Sequence, residues 1–209
     1  MKKSLHTISY AAVLGTACAL LLTGAGRFTA PYREANAKAE EVRNILKVLD
    51  VPFELGASSQ DLLDVFKRCV RQERRGDLTL YIYEDPDAAR GVQAIAVPFA
   101  GQGLWGPIRG FLALKPDMKT IQGVTFHQQE ETPGLGGEIG SDWFRDQFKG
   151  KTIEDVNGRA GIRILRGGSA SGPNEVHAIT GATMTSERVE KMLNAAIMQI
   201  AGEDIHHGQ

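Results

Sequence analysis

The chain has little cysteine and no excess of positive charge. It holds two cysteines among 209 residues: Cys18 lies in an apolar run and Cys69 in a predicted amphipathic helix. Cysteines so placed predict neither a disulfide nor a metal site, and they argue against an iron–sulfur cluster held by this chain alone. The net charge is −1, so no basic footprint for nucleic acid is visible. There is no internal repeat, and the length suffices for one domain with its own core.

One long hydrophobic run stands near the N-terminus. Lys2 and Lys3 precede an uncharged segment over residues 8–26, and about 20 apolar residues just span a bilayer. A basic start, an apolar core and small residues near Ala25 also fit a cleaved signal peptide, so the residues alone leave both interpretations open. If the segment is retained, the two lysines favour a cytoplasmic N-terminus.

Two helices are predicted next. Residues 33–49 show a charged helix with one apolar side. A second helix is predicted over about 59–72, capped by Ser58 or Ser59. We interpret both as packing elements.

A run of strands follows. Pro116 and Asp117 form a turn that joins two of them in an antiparallel hairpin, because so short a connection cannot cross over. A short helix capped by Ser141 is expected over 141–148, with aromatic residues for packing. The predicted strands cover 78–83, 92–98, 108–114, 120–127 and 161–165.

Small and hydroxyl-bearing residues precede the last helix, whose apolar residues recur at helical spacing from Val189. Thr185 or Ser186 is the expected N-cap, with Glu187 in the first turn. The hydroxyls are explained either as caps alone or as part of an anion site, since a helix N-terminus with hydroxyl donors suits a phosphate. The stretch reads His177-Ala178-Ile179-Thr180-Gly181-Ala182-Thr183-Met184-Thr185-Ser186.

Two glycine-rich segments lie between the strands. Residues 101–106 carry Trp105, and taken alone they predict a turn with a packed aromatic side chain. They lack the following helix that a dinucleotide fingerprint needs. Residues 130–138 contain one proline and three glycines, which predict a loop.

These motifs resemble the covalent-FMN domains that occur in one subunit of sodium-translocating NADH:quinone reductase and in one subunit of the Rnf electron-transport complex. The resemblance rests on three sequences in the family's order, and His177 stands where the family often carries Asp. The sequences are Gly103-Leu104-Trp105 with Gly110-Phe111-Leu112-Ala113-Leu114, Glu131-Thr132-Pro133-Gly134-Leu135-Gly136, and Thr180-Gly181-Ala182-Thr183-Met184-Thr185.

The resemblance implies a covalent FMN cofactor. A flavin transferase would join the FMN phosphate to Thr185, because an alkyl hydroxyl needs activation by another enzyme. Thr185 is then an attachment point, and neither a catalytic residue nor a metal site is expected. The resemblance places these residues at the cofactor: Trp105, Glu131, Thr132, Leu135, Gly136, Thr180, Gly181, Ala182 and Thr183. It adds Arg166 as a basic residue that would face the flavin.

The family also implies an architecture. We expect an α+β fold, in which a single N-terminal transmembrane helix precedes an extracytoplasmic domain with a mainly antiparallel sheet flanked by helices. The predicted parts are a transmembrane anchor at 1–30, a helical connector at 31–75, an FMN-binding domain at 76–203 and a disordered tail at 204–209.

The function implied is that of an electron-transfer protein without complete activity alone. It would work beside other subunits of an inner-membrane, ion-translocating NADH:quinone reductase, with its soluble domain on the periplasmic side. The Trp105 motif favours this sodium-translocating reductase, whereas Ser141-Asp142-Trp143 favours the Rnf complex. A stand-alone anchored flavoprotein reductase and a non-redox binding module are the other hypotheses. One spanning segment without ionisable residues leaves any ion path to partners.

Overall fold

A computed structural model describes residues 2–54, 56–85, 91–168 and 170–206. The chain divides into two units, residues 1–39 and residues 40–209. Helix α1, Lys2–Val48, is continuous, although the sequence predicted an apolar run and a separate charged helix. It passes through Pro31.

The N-terminal part of α1 is long and apolar enough to cross a membrane. Its most apolar window is not buried, which suits a segment whose side chains face lipid. By length and composition it matches the predicted spanning helix.

Helix α2, Ser59–Cys69, begins where the sequence predicted. The Ser58 hydroxyl accepts from the backbone N–H of Asp61, whose carboxylate accepts from the backbone of Ser58, so the two residues form a capping box. The helix is shorter than the predicted 59–72 because the chain enters strand β1, Val70–Arg75. The charged sequence of β1 concealed this strand. It forms the edge of the sheet, where exposed charges are common, and Arg71 pairs with Glu84 on the next strand at 3.0 Å.

Five antiparallel strands form the main sheet in the order β1-β2-β3-β4-β5. Strands β4 and β5 form the predicted hairpin, with Leu112 opposite Val124. The strands after β1 are β2 (Leu78–Glu84), β3 (Val92–Gln102), β4 (Pro107–Leu114) and β5 (Ile121–Gln128). The prediction of an antiparallel sheet flanked by helices is confirmed.

The sheet has a hydrophobic core on each face. One core joins side chains such as Leu112 and Phe99 to the aromatic residues of a short helix and to the C-terminal helix. The other joins Phe111, Ala94 and Ala96 to the last turns of α1 and to α2. Buried on both sides, β4 is almost wholly apolar. We call the face with the first core the site face and the face with the second core the opposite face.

The rest of the chain covers the site face. A 3₁₀ helix, Gly136–Gly140, leads into α3, Asp142–Asp146, with Ser141 as its N-cap, as predicted. Strands β6 (Arg163–Leu165) and β7 (Glu175–His177) form a parallel pair; β7, of three residues, was not predicted. Helix α4, Thr183–His206, continues into the predicted tail at 204–209, whose last three residues lie outside the described part.

Side chains of α4 hold β6 in place. Asn194 Oδ1 accepts from the Ile162 N–H at 2.7 Å, and Glu190 Oε2 accepts from the Ile164 N–H at 2.5 Å. These contacts satisfy backbone groups that would otherwise be buried without partners. They also fix the position of α4, whose first turn carries the threonine motif.

Candidate functional site

A buried carboxylate joins three separated segments of the chain. Glu131 is 5% exposed. Its Oε1 accepts from the backbone N–H groups of Leu104 at 2.7 Å and Trp105 at 3.2 Å. Its Oε2 accepts from the Thr185 hydroxyl at 2.5 Å. One side chain therefore connects the β3–β4 loop, the loop after β5 and the start of α4.

Thr185 lies inside the first turn of α4, 2% exposed. The helix begins at Thr183, so its N-cap position is Ala182, and the predicted caps Thr185 and Ser186 lie three and four residues beyond it. The first turn holds no acidic residue, and Glu187 lies beyond it. Ser186 is also buried, and its hydroxyl accepts from the Ile179 N–H at 3.2 Å. The two hydroxyls differ, since that of Ser186 ties down the preceding loop whereas that of Thr185 meets Glu131.

Glycines permit the close approach at this junction. A Cβ at Gly136 would lie 2.6 Å from Thr185 Oγ1 and 2.7 Å from Glu131 Oε2. A Cβ at Gly103 would lie 2.5 Å from Glu131 Oε1. All three distances are shorter than a van der Waals contact, so an alanine at either position must displace the carboxylate or the hydroxyl.

Arg188, one turn further along α4, holds the β3–β4 loop from the other side. Its Nη1 donates to the carbonyl oxygens of Gln102 at 3.0 Å and Gly103 at 2.8 Å. The sequence analysis did not single out this residue. Its position three residues after Thr185, in a helix whose first turn was already suspected, was the available signal.

The three segments surround an open pocket of about 280 Å³. Nine predicted cofactor residues line it, and Leu104 and Met184, which were not predicted, line it as well. Leu104, Leu135, Met184 and the 68%-exposed Trp105 are all large exposed apolar side chains. Such a cluster marks a binding site. The predicted residues in the lining are Trp105, Glu131, Thr132, Leu135, Gly136, Gly181, Ala182, Thr183 and Thr185.

Two predicted residues do not line this pocket. Thr180 is exposed at the preceding turn. Arg166 forms an ion pair with Glu187 on α4, with both side chains about half exposed. His177 is also exposed, and its backbone exchanges hydrogen bonds with the side chain of Gln147.

The lining of the pocket fits an FMN by its chemistry. Apolar side chains at its rim suit a flat aromatic ring. The first turn of α4 supplies helix N-terminal amides, which suit a phosphate. Gly181 has a left-handed backbone conformation, with φ +77°. A Cβ at this position would lie only 3.1 Å from Leu135 Cδ2, so the backbone of Gly181 packs closely against the Leu135 side chain.

Residues 103–198 match the sequence model of the FMN-binding domain family. These residues form an FMN-binding domain. The match begins at the β3–β4 loop and ends in α4, so it encloses every segment that lines the pocket. FMN is accordingly the cofactor of this domain.

Curated relatives agree. The chain is 31% identical over 163 residues to NqrC, a Na⁺-translocating NADH-quinone reductase subunit, of Vibrio alginolyticus, covering 78% of this chain and 60% of that protein. It is 38% identical over 108 residues to the NqrC of Pasteurella multocida, covering 52% of this chain and 42% of the relative. The resemblance to this reductase subunit is confirmed, although the chain spans only about half the length of these relatives.

Solved structures share the fold. NqrC from Shewanella oneidensis matches with a TM-score of 0.65 at 24% identity, covering 77% of this chain and 91% of that one. The corresponding Na⁺-translocating NADH-quinone reductase subunit from Parabacteroides distasonis matches with a TM-score of 0.65 at 25% identity, covering 78% and 90%. The first likeness concerns the fold alone.

Proposed function

We propose that this chain is a membrane-anchored flavoprotein subunit that carries FMN as a phosphoester on Thr185 and relays electrons within an ion-translocating NADH:quinone reductase. The observation that carries the proposal is the Thr185 hydroxyl, which lines the pocket of an FMN-binding domain beside the loops of the two other motifs. The NqrC relatives, named as parts of such a reductase, support the assignment of the complex.

FMN supplies the redox chemistry, and the protein supplies its position and surroundings. Trp105, Leu104 and Leu135 provide apolar walls for the ring. Thr132 and nearby loop backbone offer polar groups to the edge of the ring. The first turn of α4 favours the negative charge that a phosphodiester at Thr185 retains.

The setting follows from α1. Its N-terminal part anchors the chain in the inner membrane by a single span, and Lys2 and Lys3 hold the N-terminus on the cytoplasmic side. The FMN-binding domain then lies on the periplasmic side. Its partners are the other subunits of the complex and, during maturation, a flavin transferase.

The test is the mass of the intact chain, with in-gel flavin fluorescence after denaturation, on protein produced with its flavin transferase. Wild type should gain one FMN residue, mapped to the peptide with Thr185. Thr185→Val should gain none, because the attacking oxygen is gone. Ser186→Ala is the matched control, since it removes a buried hydroxyl from the same turn and should retain the flavin. Covalent flavin on Thr185→Val would refute the attachment site.

A further inference from the structure

Glu131 and Thr185 form a pair of a kind that enzymes use to activate an alcohol. We infer that Glu131 accepts the proton of the Thr185 hydroxyl when FMN is attached, so that this chain supplies the base for its own modification. The inference rests on the proposed covalent linkage at Thr185. It starts from the 2.5 Å hydrogen bond between Thr185 Oγ1 and Glu131 Oε2, both in buried side chains.

The carboxylate is held so that one oxygen serves Thr185. Oε1 is already used by the amides of Leu104 and Trp105. The backbone N–H of Glu131 donates to Gln129 Oε1 at 2.7 Å, which fixes the backbone from which the side chain extends. The Glu131 carboxylate thus accepts three hydrogen bonds, and Oε2 is the oxygen that faces the Thr185 hydroxyl.

The reaction needs a base at this atom. A threonine hydroxyl is a weak nucleophile until an adjacent group removes its proton. With a flavin adenine dinucleotide as donor, Thr185 Oγ1 attacks the flavin-side phosphorus. The Oγ1–P bond forms, the P–O bond of the pyrophosphate breaks, and AMP leaves with the electron pair. The proton of the hydroxyl passes to Glu131 Oε2.

Charge balance at the site follows from this transfer. Before the donor enters, the pocket holds one negative charge, on Glu131. The flavin-side phosphate of the donor brings a second. Transfer of the Thr185 proton to Glu131 leaves the finished junction with one negative charge, on the phosphodiester, instead of two adjacent anions, which would be costly away from water.

Glutamine at position 131 separates the base from the structural role. Its amide oxygen can still accept from the amides of Leu104 and Trp105, whereas its NH₂ group faces Thr185 as a donor and cannot take the proton. Glu130→Gln is the matched control, because it removes the same charge one residue away on an exposed side chain.

The experiment is a time course of flavin attachment to full-length apo-protein in detergent, with purified flavin transferase and flavin adenine dinucleotide. Adduct mass is followed for wild type, Glu131→Gln, Glu130→Gln and Thr185→Val. The initial rate for Glu131→Gln should fall by roughly 100-fold or more, the usual contribution of a general base. Its unfolding midpoint should remain that of Glu130→Gln. Attachment to Glu131→Gln at the wild-type rate would overturn the inference.

A second variant applies if Glu131→Gln does not fold. Glu131→Ala is measured with sodium formate and with sodium chloride, since formate can place a carboxylate in the vacated space. Faster attachment with formate supports the inference, and equal rates in the two salts overturn it. A wild-type chain without adduct, or an adduct on Thr185→Val, would instead refute the proposed function.

Discussion

Each face of the sheet carries a hydrophobic core, but the candidate cofactor pocket lies beside the site face. On the opposite face, Ala94, Ala96 and Ala113 leave room for the helices that pack above Phe111. On the site face, larger side chains fill the core beneath α3 and α4. The candidate FMN site lies at the edge of the site face, where two loops meet the first turn of α4. Its position is therefore set by where strands end and α4 begins.

Buried polar side chains are found on both faces. On the site face the buried side chains of Glu131, Thr185 and Ser186 all have hydrogen-bond partners. On the opposite face buried Asn44 and Thr125 have partners as well. His127 is the exception, since it stacks on Phe111 with a centroid distance of 5.0 Å and, within the described ranges, its Nδ1 is the buried side-chain atom that lacks a partner.

The largest expected effect on the site face comes from Gly136→Ala. The added methyl group would overlap Thr185 Oγ1 and Glu131 Oε2, so covalent flavin should fall below detection by intact mass. Gly140→Ala in the same 3₁₀ helix is the control, because a Cβ there meets nothing within 4 Å. Normal flavin attachment to Gly136→Ala would contradict the close packing described here.

Leu46→Ala, on the opposite face, should lower the stability of the domain and leave flavin attachment unchanged. Leu46 is fully buried beneath the sheet, and truncation of such a leucine costs about 2–5 kcal/mol of unfolding free energy. Denaturant titration should show this loss, while the folded fraction of the variant still carries covalent FMN. A folded Leu46→Ala chain without flavin would mean that the two faces are not separable.

Arg188→Gln should weaken the site without destroying it. Loss of the bonds to Gln102 and Gly103 loosens the loop that carries Trp105. We expect the FMN dissociation constant to rise about tenfold, or roughly 1.4 kcal/mol. Fluorescence titration in a Thr185→Val background measures this without covalent attachment. Lys191→Gln, an exposed neighbour on α4, should bind FMN as its parent does; equal losses in both variants would indicate a charge effect.

The smallest effect is the pH dependence of the opposite face. Burial lowers the pKa of His127 below its ordinary 6.5, with the charge of Arg109 acting in the same direction and Glu41 and Glu40 opposing it. The unfolded chain thus binds the proton more readily. The stability that neutral His127 provides is present above pH 6.5 and is lost as the pH falls towards the folded pKa.

Unfolding free energies between about pH 7.5 and 5.5 should therefore decline less in His127→Gln than in wild type. Flavin attachment should be the same in both proteins. Parallel pH curves for the two chains would exclude His127 as the source.

Much of this architecture could be predicted from the sequence. Alternating strands and a short turn region around Pro116 predicted the hairpin of β4 and β5, because local pairing needs no long-range information. The site residues were predicted from the resemblance of three motifs to the covalent-FMN family, because composition alone predicted only a turn, a loop and a helix cap. Strand β1 was missed because this edge strand consists mostly of charged residues and shows no alternation of apolar and polar side chains. Strand β7 was missed because three residues are too few to show a period.

Other errors came from tertiary contacts. Threonine is a common helix cap, which is why Thr185 was predicted to be one. Its hydroxyl instead donates to the buried carboxylate of Glu131, 54 residues away in sequence. Arg166 pairs with Glu187 on α4 and does not line the pocket, and its contact with the flavin stays a prediction. Loop residues 166–173 are as rich in glycine as residues 131–137, and composition does not reveal which loop approaches α4.

The burial of Thr185 has a consequence for how the protein matures. A hydroxyl that is 2% exposed cannot meet a separate enzyme in this closed arrangement. Loading must therefore draw on a minor population in which the rim of the pocket has opened while Thr185 keeps its contact with Glu131, and its speed is scaled by that population. The covalent linkage is therefore formed in a conformation that the folded domain rarely adopts. A tighter native site would hold FMN more firmly and receive it more slowly.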